Sequence, residues 1–320
     1  MDYRRLGTTD LTVSVLGYGA SPLGGVFHDV DETDAVRSVR DSFARGINFV
    51  DVSPYYGITR AETVLGRALS GVPRDDYVLA TKVGRYGDDE FDYSAARVRA
   101  SVDESLQRLG VEHVDLIQCH DIEFVSLDQV VEETIPALRA LVDEGKARYV
   151  GITGYSLKAL EHVSARTKVD TVLTYCRYNL QDRSFAEWLP TFQDREIGVV
   201  NASVLAMGAL TTRGAPPWHP ASEPLLAACA RAGQLCSAKG SDLAKLALQY
   251  ALRLPGVAST LVGSAKSDNM ERNIAWSEEP IDLDLLAEVE QILAPVRNVG
   301  WPVGRPENQD VTVEARSPMV

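Results

Sequence analysis

Apolar and polar positions along this chain fall into two alternating patterns. Short runs, mostly continuously apolar, cover residues 15–18, 47–52, 77–83, 114–120, 148–153, 171–178, 198–203 and 259–263. Continuous rather than every-other apolarity marks parallel strands covered on both faces. Between the runs lie stretches with helical spacing and recognisable starts. Asp31 precedes a stripe of Ala35, Val36, Val39 and Phe43, which ends at Gly46. Ser94 precedes Val98, Val102, Leu106 and Leu109, closed by Gly110, and Ser126 precedes Val130, Val131, Leu138, Leu141 and Val142. Small polar caps before an apolar stripe and glycine after it are helix punctuation. Ser267 and Asp282 open two late helices.

Strand and helix thus alternate about eight times without a linker, which predicts a single (β/α)8 TIM barrel domain over 1–320. A doubly wound sheet is the competitor. Its dinucleotide fingerprint would fall at Gly17-Tyr18-Gly19-Ala20-Ser21-Pro22, where proline replaces the third glycine, so that fold is disfavoured. Ahead of the first barrel run, Tyr3–Leu6 and Leu11–Ser14 flank Gly7-Thr8-Thr9-Asp10, an N-terminal β-hairpin suited to plug the barrel floor. Residues 207–224 read as a long loop, extra C-terminal helices follow the barrel, and a mobile tail is expected from about 305.

Composition narrows the partners. Hydrophobic residues make up 45% and charged residues 24%, and the formal charge is −13. An acidic surface with no basic cluster longer than Arg4-Arg5 repels phosphate backbones and anionic lipid, so neither nucleic acid nor membrane partners are expected. The N-terminal residues lack the apolar core of a signal peptide, and no run reaches membrane-spanning length, so a cytoplasmic protein is expected. It would be a monomer or a small homo-oligomer. Cys119, Cys176, Cys229 and Cys236 form no CxxC pair. Cys119 and His120 are adjacent on a strand and point to opposite faces, so no metal site is expected.

In a barrel, chemistry gathers where strands end. Three successive ends carry ionisable side chains: Asp51, Lys82 and His120, with Tyr56 five residues past Asp51. Such groups at the ends of apolar strands are costly unless they pair. Asp51 and Lys82 can form an ion pair whose cation draws the Tyr56 phenol down from about 10 towards working pH. Tyr56 then exchanges a proton with a carbonyl or alcohol oxygen that His120 orients. With no nucleophile–base pair and no metal cage, proton-coupled hydride transfer is favoured over hydrolysis.

Asp51…Tyr56-Gly57, Thr81-Lys82 and His120 resemble the Asp–Tyr–Lys–His tetrad of the aldo-keto reductases, and the likeness runs from Arg5-Leu6-Gly7 to about Trp301-Pro302. It implies Tyr56 as general acid/base, Asp51 and Lys82 as its tuning pair, and His120 as the substrate-orienting residue. The stretches 19–24, 119–124, 205–208 and 218–222 are similar to aldose 1-dehydrogenases of that family acting on L-galactose or L-fucose. That likeness implies oxidation of an aldose at C1 to its lactone. Two alternatives stay open: a broad NADPH-dependent aldehyde or ketone reductase, and a non-catalytic module that senses cofactor.

The resemblance also implies a cofactor site at Gly19, Ala20, Ser21, Asp51, Thr153, Tyr175, Ser203, Leu205, Gly263, Ser264, Asn269 and Asn273. Gly154 and Tyr175 depart from the family's usual asparagine and glutamine, and Ala202 replaces its stacking tyrosine. Gly263 and Asn269 stand where NADPH-preferring members carry lysine and arginine. Losing two cations removes the bonds a 2′-phosphate needs, so NAD is expected, with Lys266 and Arg272 as residues able to rescue NADP. Tyr55 and Phe124 border the tetrad, and Trp218 and Trp301 suit a lid over a sugar, so these four join Tyr56 and His120 as candidate substrate contacts.

Overall fold

The computed structural model describes residues 1–26 and 29–310. Eight parallel strands close into a barrel: β3 (Leu16–Gly19), β4 (Phe49–Asp51), β5 (Val78–Val83), β6 (Val114–Cys119), β7 (Ala147–Gly154), β8 (Thr171–Tyr175), β9 (Gly198–Ala202) and β10 (Ser259–Val262), with β10 pairing back onto β3. Each lies within or beside one of the apolar runs. The antiparallel hairpin β1 (Tyr3–Arg5) and β2 (Thr12–Ser14) precedes them. Its Leu6, Leu11 and Val13 are buried against Phe49, Val78, Leu116, Leu173 and Val200 inside the barrel, so the hairpin does close the floor.

Helices α1 (Glu32–Ala44), α2 (Arg60–Leu69), α3 (Ala95–Leu109), α6 (Leu157–Arg166), α7 (Phe185–Asp194), α9 (Leu243–Ala251) and α10 (Ser267–Glu278) form most of the outer ring. The expected caps appear: Asp31 accepts from the Asp34 N–H, Ser94 from the Arg97 N–H and Asp282 from the Leu285 N–H. The helix expected after Ser126 differs. It begins as α4 (Leu127–Gln129), passes through a π turn at Val130–Thr134 and continues as α5 (Ile135–Asp143), and Ser126 makes no side-chain cap. The turn's Thr134 hydroxyl donates to the Tyr93 carbonyl at 2.6 Å, a partner far in sequence that local spacing cannot reveal.

Two helices lie outside the alternation. α8 (Glu223–Ala238) follows the long β9 loop and packs on α11 (Leu283–Leu293), with Leu225, Cys229, Cys236, Leu285, Val289 and Trp301 in a second apolar cluster. Within the stretch from about 305 expected to be a mobile tail, Asn308 and Asp310 are bonded to the barrel. Asn308 is buried and donates to the Glu123 and Val125 carbonyls at 3.0 and 2.8 Å. Asp310 accepts from the Lys158 N–H at 3.0 Å, at the start of α6, and from Arg177 at 2.9 Å. The rest of that segment lies outside the described residues.

Candidate active site

Register places the tetrad. Asp51 pairs with Ala80 across β4–β5, and Lys82 pairs with Gln118 across β5–β6, so Asp51, Lys82 and Gln118 all face the barrel axis near its C-terminal mouth. The Lys82 ammonium bonds the Asp51 carboxylate and donates to the Val52 carbonyl at 2.9 Å. Gln118 Nε2 donates to the other Asp51 oxygen at 2.7 Å. Both charges are almost wholly buried, which is tolerable only because they neutralise one another and are hydrogen-bonded.

Tyr56 arrives from the loop after β4. Its N–H closes a turn on the Ser53 carbonyl at 3.1 Å. Gly57 follows at φ +63°, and a Cβ there would lie 2.1 Å from the Gly24 carbonyl oxygen, so only glycine lets the two loops meet. The Lys82 ammonium lies 5.0 Å from the Tyr56 ring centroid, and the His120 ring meets it edge-on at 5.6 Å.

Proton affinities correct one expectation. Burial pushes the Tyr56 phenol up to about 12, and the opposing pull of Lys82 does not offset it. The loss of water around the phenolate outweighs the cation that sequence spacing makes visible. Burial also drives His120 down to about 3, so its imidazole is neutral at working pH. The Ser53 hydroxyl accepts the Tyr55 N–H at 3.1 Å and lies 2.9 Å from His120 Nδ1. We assign its proton to Nδ1, which leaves Nε2–H as the donor towards an incoming oxygen.

Beside the tetrad, Tyr55 and Phe124 hold Arg85. Its guanidinium lies 3.9 Å from the Tyr55 ring centroid and 4.9 Å from that of Phe124. It bonds the Tyr55 hydroxyl at 3.1 Å and the Asp121 carboxylate at 2.6 Å.

The residues expected to hold a cofactor lie at the ends of β3, β4, β7 and β8, in the turns after β3, β9 and β10, and on α10. Gly19 ends β3 against Gly263, where a Cβ would lie 1.7 Å from the Gly19 oxygen. Ala20 N–H bonds the Asp51 carbonyl at 2.8 Å, and Ser21 opens the next turn. Thr153 lies on β7 with its hydroxyl accepting the Asp121 N–H at 3.0 Å. Tyr175 ends β8 and its hydroxyl reaches Glu123 at 3.4 Å. After β9, Ser203 has φ +52° and Leu205 precedes two further left-handed residues, a strained bend of the kind found at ligand clamps. The Ser264 carbonyl is fixed by the Tyr18 and Ser38 hydroxyls at 2.8 and 2.7 Å. Its own hydroxyl accepts from Asn269 at 3.1 Å, while Asn273 turns to the Met270 sulfur at 3.9 Å. Lys266 precedes α10 and supplies no side-chain cap, so among the described residues the Ser267 and Asp268 N–H groups are available to an anion.

The two tryptophans are not packed on the tetrad. Trp301 is buried, stacked on Tyr155 at 5.3 Å and met edge-on by His219 at 5.2 Å. Trp218 is half exposed, with the His219 ring 6.5 Å away. His219 itself accepts the Ala221 N–H at 3.1 Å and lies 3.0 Å from the Ala206 carbonyl, latching the long loop.

Comparison with known proteins decides the family. A family model described as "Aldo/keto reductase family" matches residues 15–294. The chain belongs to the aldo/keto reductase family. L-galactose dehydrogenase of Arabidopsis thaliana is 49% identical, covering 96% of this chain and 99% of that one. D-arabinose 1-dehydrogenase of Saccharomyces cerevisiae is 36% identical, over 75% of this chain and 76% of its own. Among solved structures, an aldo-keto reductase of Bacillus halodurans in its holo form superposes with a TM-score of 0.78 at 28% identity, covering 97% and 100% of the two chains. As a family member the chain is an oxidoreductase, and the family's cofactor is a nicotinamide nucleotide.

Several residues in this aldo/keto reductase site carried no expected role. Gln118 sits two residues before His120 on the same strand face, a spacing that was readable. Arg85, Asp121 and Glu123 meet only through the β5–β6 register and the loops beyond it. Glu123 is buried, accepts the Tyr155 N–H at 2.8 Å through one oxygen, and leaves the other unpartnered among the described residues. Burial, with Asp121 nearby, pushes its carboxyl up to about 8. Among the described residues no group of His, Cys, Asp and Glu could hold a metal ion, and no helix is long and apolar enough to cross a membrane.

Proposed function

We propose that this protein oxidises an aldose of the L-galactose or L-fucose type at C1 to its lactone, with NAD⁺ as the hydride acceptor. The observation that carries the reaction is the dry Lys82–Asp51 pair against Tyr56, beside a neutral His120. The choice of sugar is supported by the two aldose dehydrogenases above.

The donor set fits the cofactor. Uncapped N–H groups at the start of α10, the Ser264 hydroxyl, Asn269 and Lys266 suit a phosphate-bearing nucleoside. Gly263 and Asn269 bring no cation, which supports NAD over NADP. Thr153, Tyr175, Ser203 and Leu205 would lie around the nicotinamide end, with Gly19, Ala20 and Ser21 opposite. When bound, NAD⁺ supplies hydride acceptance.

The chain's own residues supply proton transfer and orientation. His120 Nε2–H donates to the anomeric oxygen and holds it beside the Tyr56 hydroxyl. Tyr56, as tyrosinate, removes the proton from that oxygen as C1 loses hydride, and the reverse transfer serves reduction. A phenol held up to about 12 makes the tyrosinate scarce at neutral pH, so oxidation gains with rising pH. Lys82 limits that cost, and Asp51 with Gln118 keeps Lys82 in place.

The test is nicotinamide absorbance with a panel of L- and D-aldoses and simple aldehydes, using Tyr56→Phe as control. Oxidation of L-galactose or L-fucose with NAD⁺, lost in Tyr56→Phe, is expected. Turnover of simple aldehydes with no aldose would replace this reading by a general reductase, and higher catalytic efficiency with NADP⁺ would overturn the cofactor choice.

A further inference from the structure

We propose that Asp121 and Arg85 form the subsite that recognises the hydroxyl on the carbon next to the reacting one, and so set specificity for a polyhydroxylated substrate. The inference rests on the reading of the substrate as an aldose.

Asp121 follows His120 directly and takes φ +50°, a conformation a residue with a Cβ adopts only when its surroundings enforce it. That backbone turns its carboxylate alongside the imidazole. Asp121 Oδ2 lies 3.7 Å from His120 Nε2, too far for a hydrogen bond, so neither group is spent on the other. An oxygen held on Nε2 therefore sits beside the carboxylate, and the substituent on the adjacent carbon is the next to meet it.

Arg85 completes the pair from the other side. Its guanidinium is shelved against the aromatic faces of Tyr55 and Phe124 and bonded to the Tyr55 hydroxyl, which in turn donates to Asp88 at 2.9 Å. Its Nε is buried with no partner among the described residues. The side chains of Arg85 and Asp121 are only 14% and 7% exposed, so the pair is held in one arrangement before any ligand arrives.

The chemistry of the pair selects its ligand. A carboxylate accepts and a guanidinium donates, and an alcohol hydroxyl both donates and accepts. A carbonyl or ether lacks the proton Asp121 asks for. An anion is repelled by Asp121, and a hydrocarbon would leave the remaining polar atoms of the pair, Arg85 Nε among them, without a partner. A sugar hydroxyl beside the reacting carbon satisfies both.

A purely structural role must be separated, because the ion pair also ties the loop after β5 to the end of β6. The experiment is a cycle between residue and hydroxyl: kcat/KM of the wild type and of Asp121→Asn, each with the preferred aldose and its 2-deoxy analogue. The wild type is expected to favour the parent sugar by about tenfold or more, the scale of a charge-assisted hydrogen bond. In Asp121→Asn that ratio should fall towards one, through KM more than kcat. Arg85→Lys, which keeps charge but loses the fork, should reduce it as well, and carries the test if Asp121→Asn does not fold. Equal losses with both sugars, leaving the ratio unchanged, overturn the proposal and make the pair a structural tie. A wild type that oxidises the aldose without preferring it over the 2-deoxy sugar overturns the proposal while the aldose reading stands. A wild type that oxidises no aldose overturns both.

Discussion

Replacing Lys82 with methionine removes the cation 5.0 Å from the Tyr56 ring centroid and keeps much of the side-chain volume. At that separation and an effective dielectric of about 20, a unit charge acts on a phenolate by about 3 kcal/mol, roughly two pKa units. The sign is fixed. Lys82 lowers the Tyr56 phenol and Asp51 raises it, so the variant's tyrosine sits above the wild type's value of about 12. Initial rates of sugar oxidation, followed by nicotinamide absorbance from about pH 6 to 11, should give a rising limb displaced by on the order of two units. With the wild-type phenol at about 12, that range lies on the rising limb of both proteins, so the displacement appears as a loss of about 100-fold at each pH. Asp51 is left as a buried charge without its cation, a cost of about 3 kcal/mol or more. Lys82→Met should therefore melt at lower temperature, and Lys82→Met with Asp51→Asn should regain stability. A loss of less than about tenfold across that range, one pKa unit, would refute the electrostatic argument.

Three further outcomes follow from the same site. Glu123 titrates at about 8 in the fold against 4.5 normally, so between those values the folded state keeps a proton the unfolded chain has lost. Its contribution to stability falls as pH rises through that window, by on the order of a few kcal/mol. Glu123→Gln should melt above the wild type at pH 8, with the gap shrinking towards pH 5, and a pH-independent gap would contradict a neutral Glu123. Asn269→Arg should raise kcat/KM with NADP⁺ by about tenfold by adding a charge-assisted bond, with no gain for NAD⁺. Trp301→Ala removes a buried indole from between Tyr155 and His219 and should cost about 3 kcal/mol or more in denaturant unfolding. A cost below about 1 kcal/mol would mean that its stacking is not structural.

The barrel was legible because strands buried on both faces must be apolar throughout, and each of the eight runs overlaps a strand to within a few residues. Asp51, Lys82 and His120 stood out for the converse reason: charges at the ends of such runs are costly unless they pair, and the structure pairs Lys82 with Asp51. What escaped depends on quantities a linear chain does not carry. The direction of the Tyr56 shift is a contest between one cation and complete burial, and spacing reveals the cation alone. The π turn at Val130–Thr134 bonds Tyr93, which lies before α3. Arg85 and Asp121 are 36 residues apart, and each lies two positions past the last register pair, Val83 with Cys119. Once that register is known their meeting follows, since equal offsets from paired residues emerge on the same side. Without it they are two charged residues in two loops.

Charge balance at the mouth ties these observations to the chemistry. The deep cation, Lys82, is neutralised by Asp51, and the outer one, Arg85, by Asp121. His120 is neutral because burial pushes it down to about 3, and Glu123 is neutral below about 8. Near pH 7, among the described residues, the ionised groups beside Tyr56 are each met by a counter-charge. On the proposed mechanism, a proton leaving a substrate oxygen then has Tyr56 as the acceptor that changes charge, and the paired ions tune that change without taking part in it. A neutral substrate enters such a site without upsetting the balance, whereas a carboxylate or phosphate on the proposed sugar adds a charge that meets no unpaired cation beside the tetrad among the described residues. The −13 of the whole chain acts in the same direction at longer range, so if the substrate is a sugar, as proposed, anionic sugars are disfavoured by both.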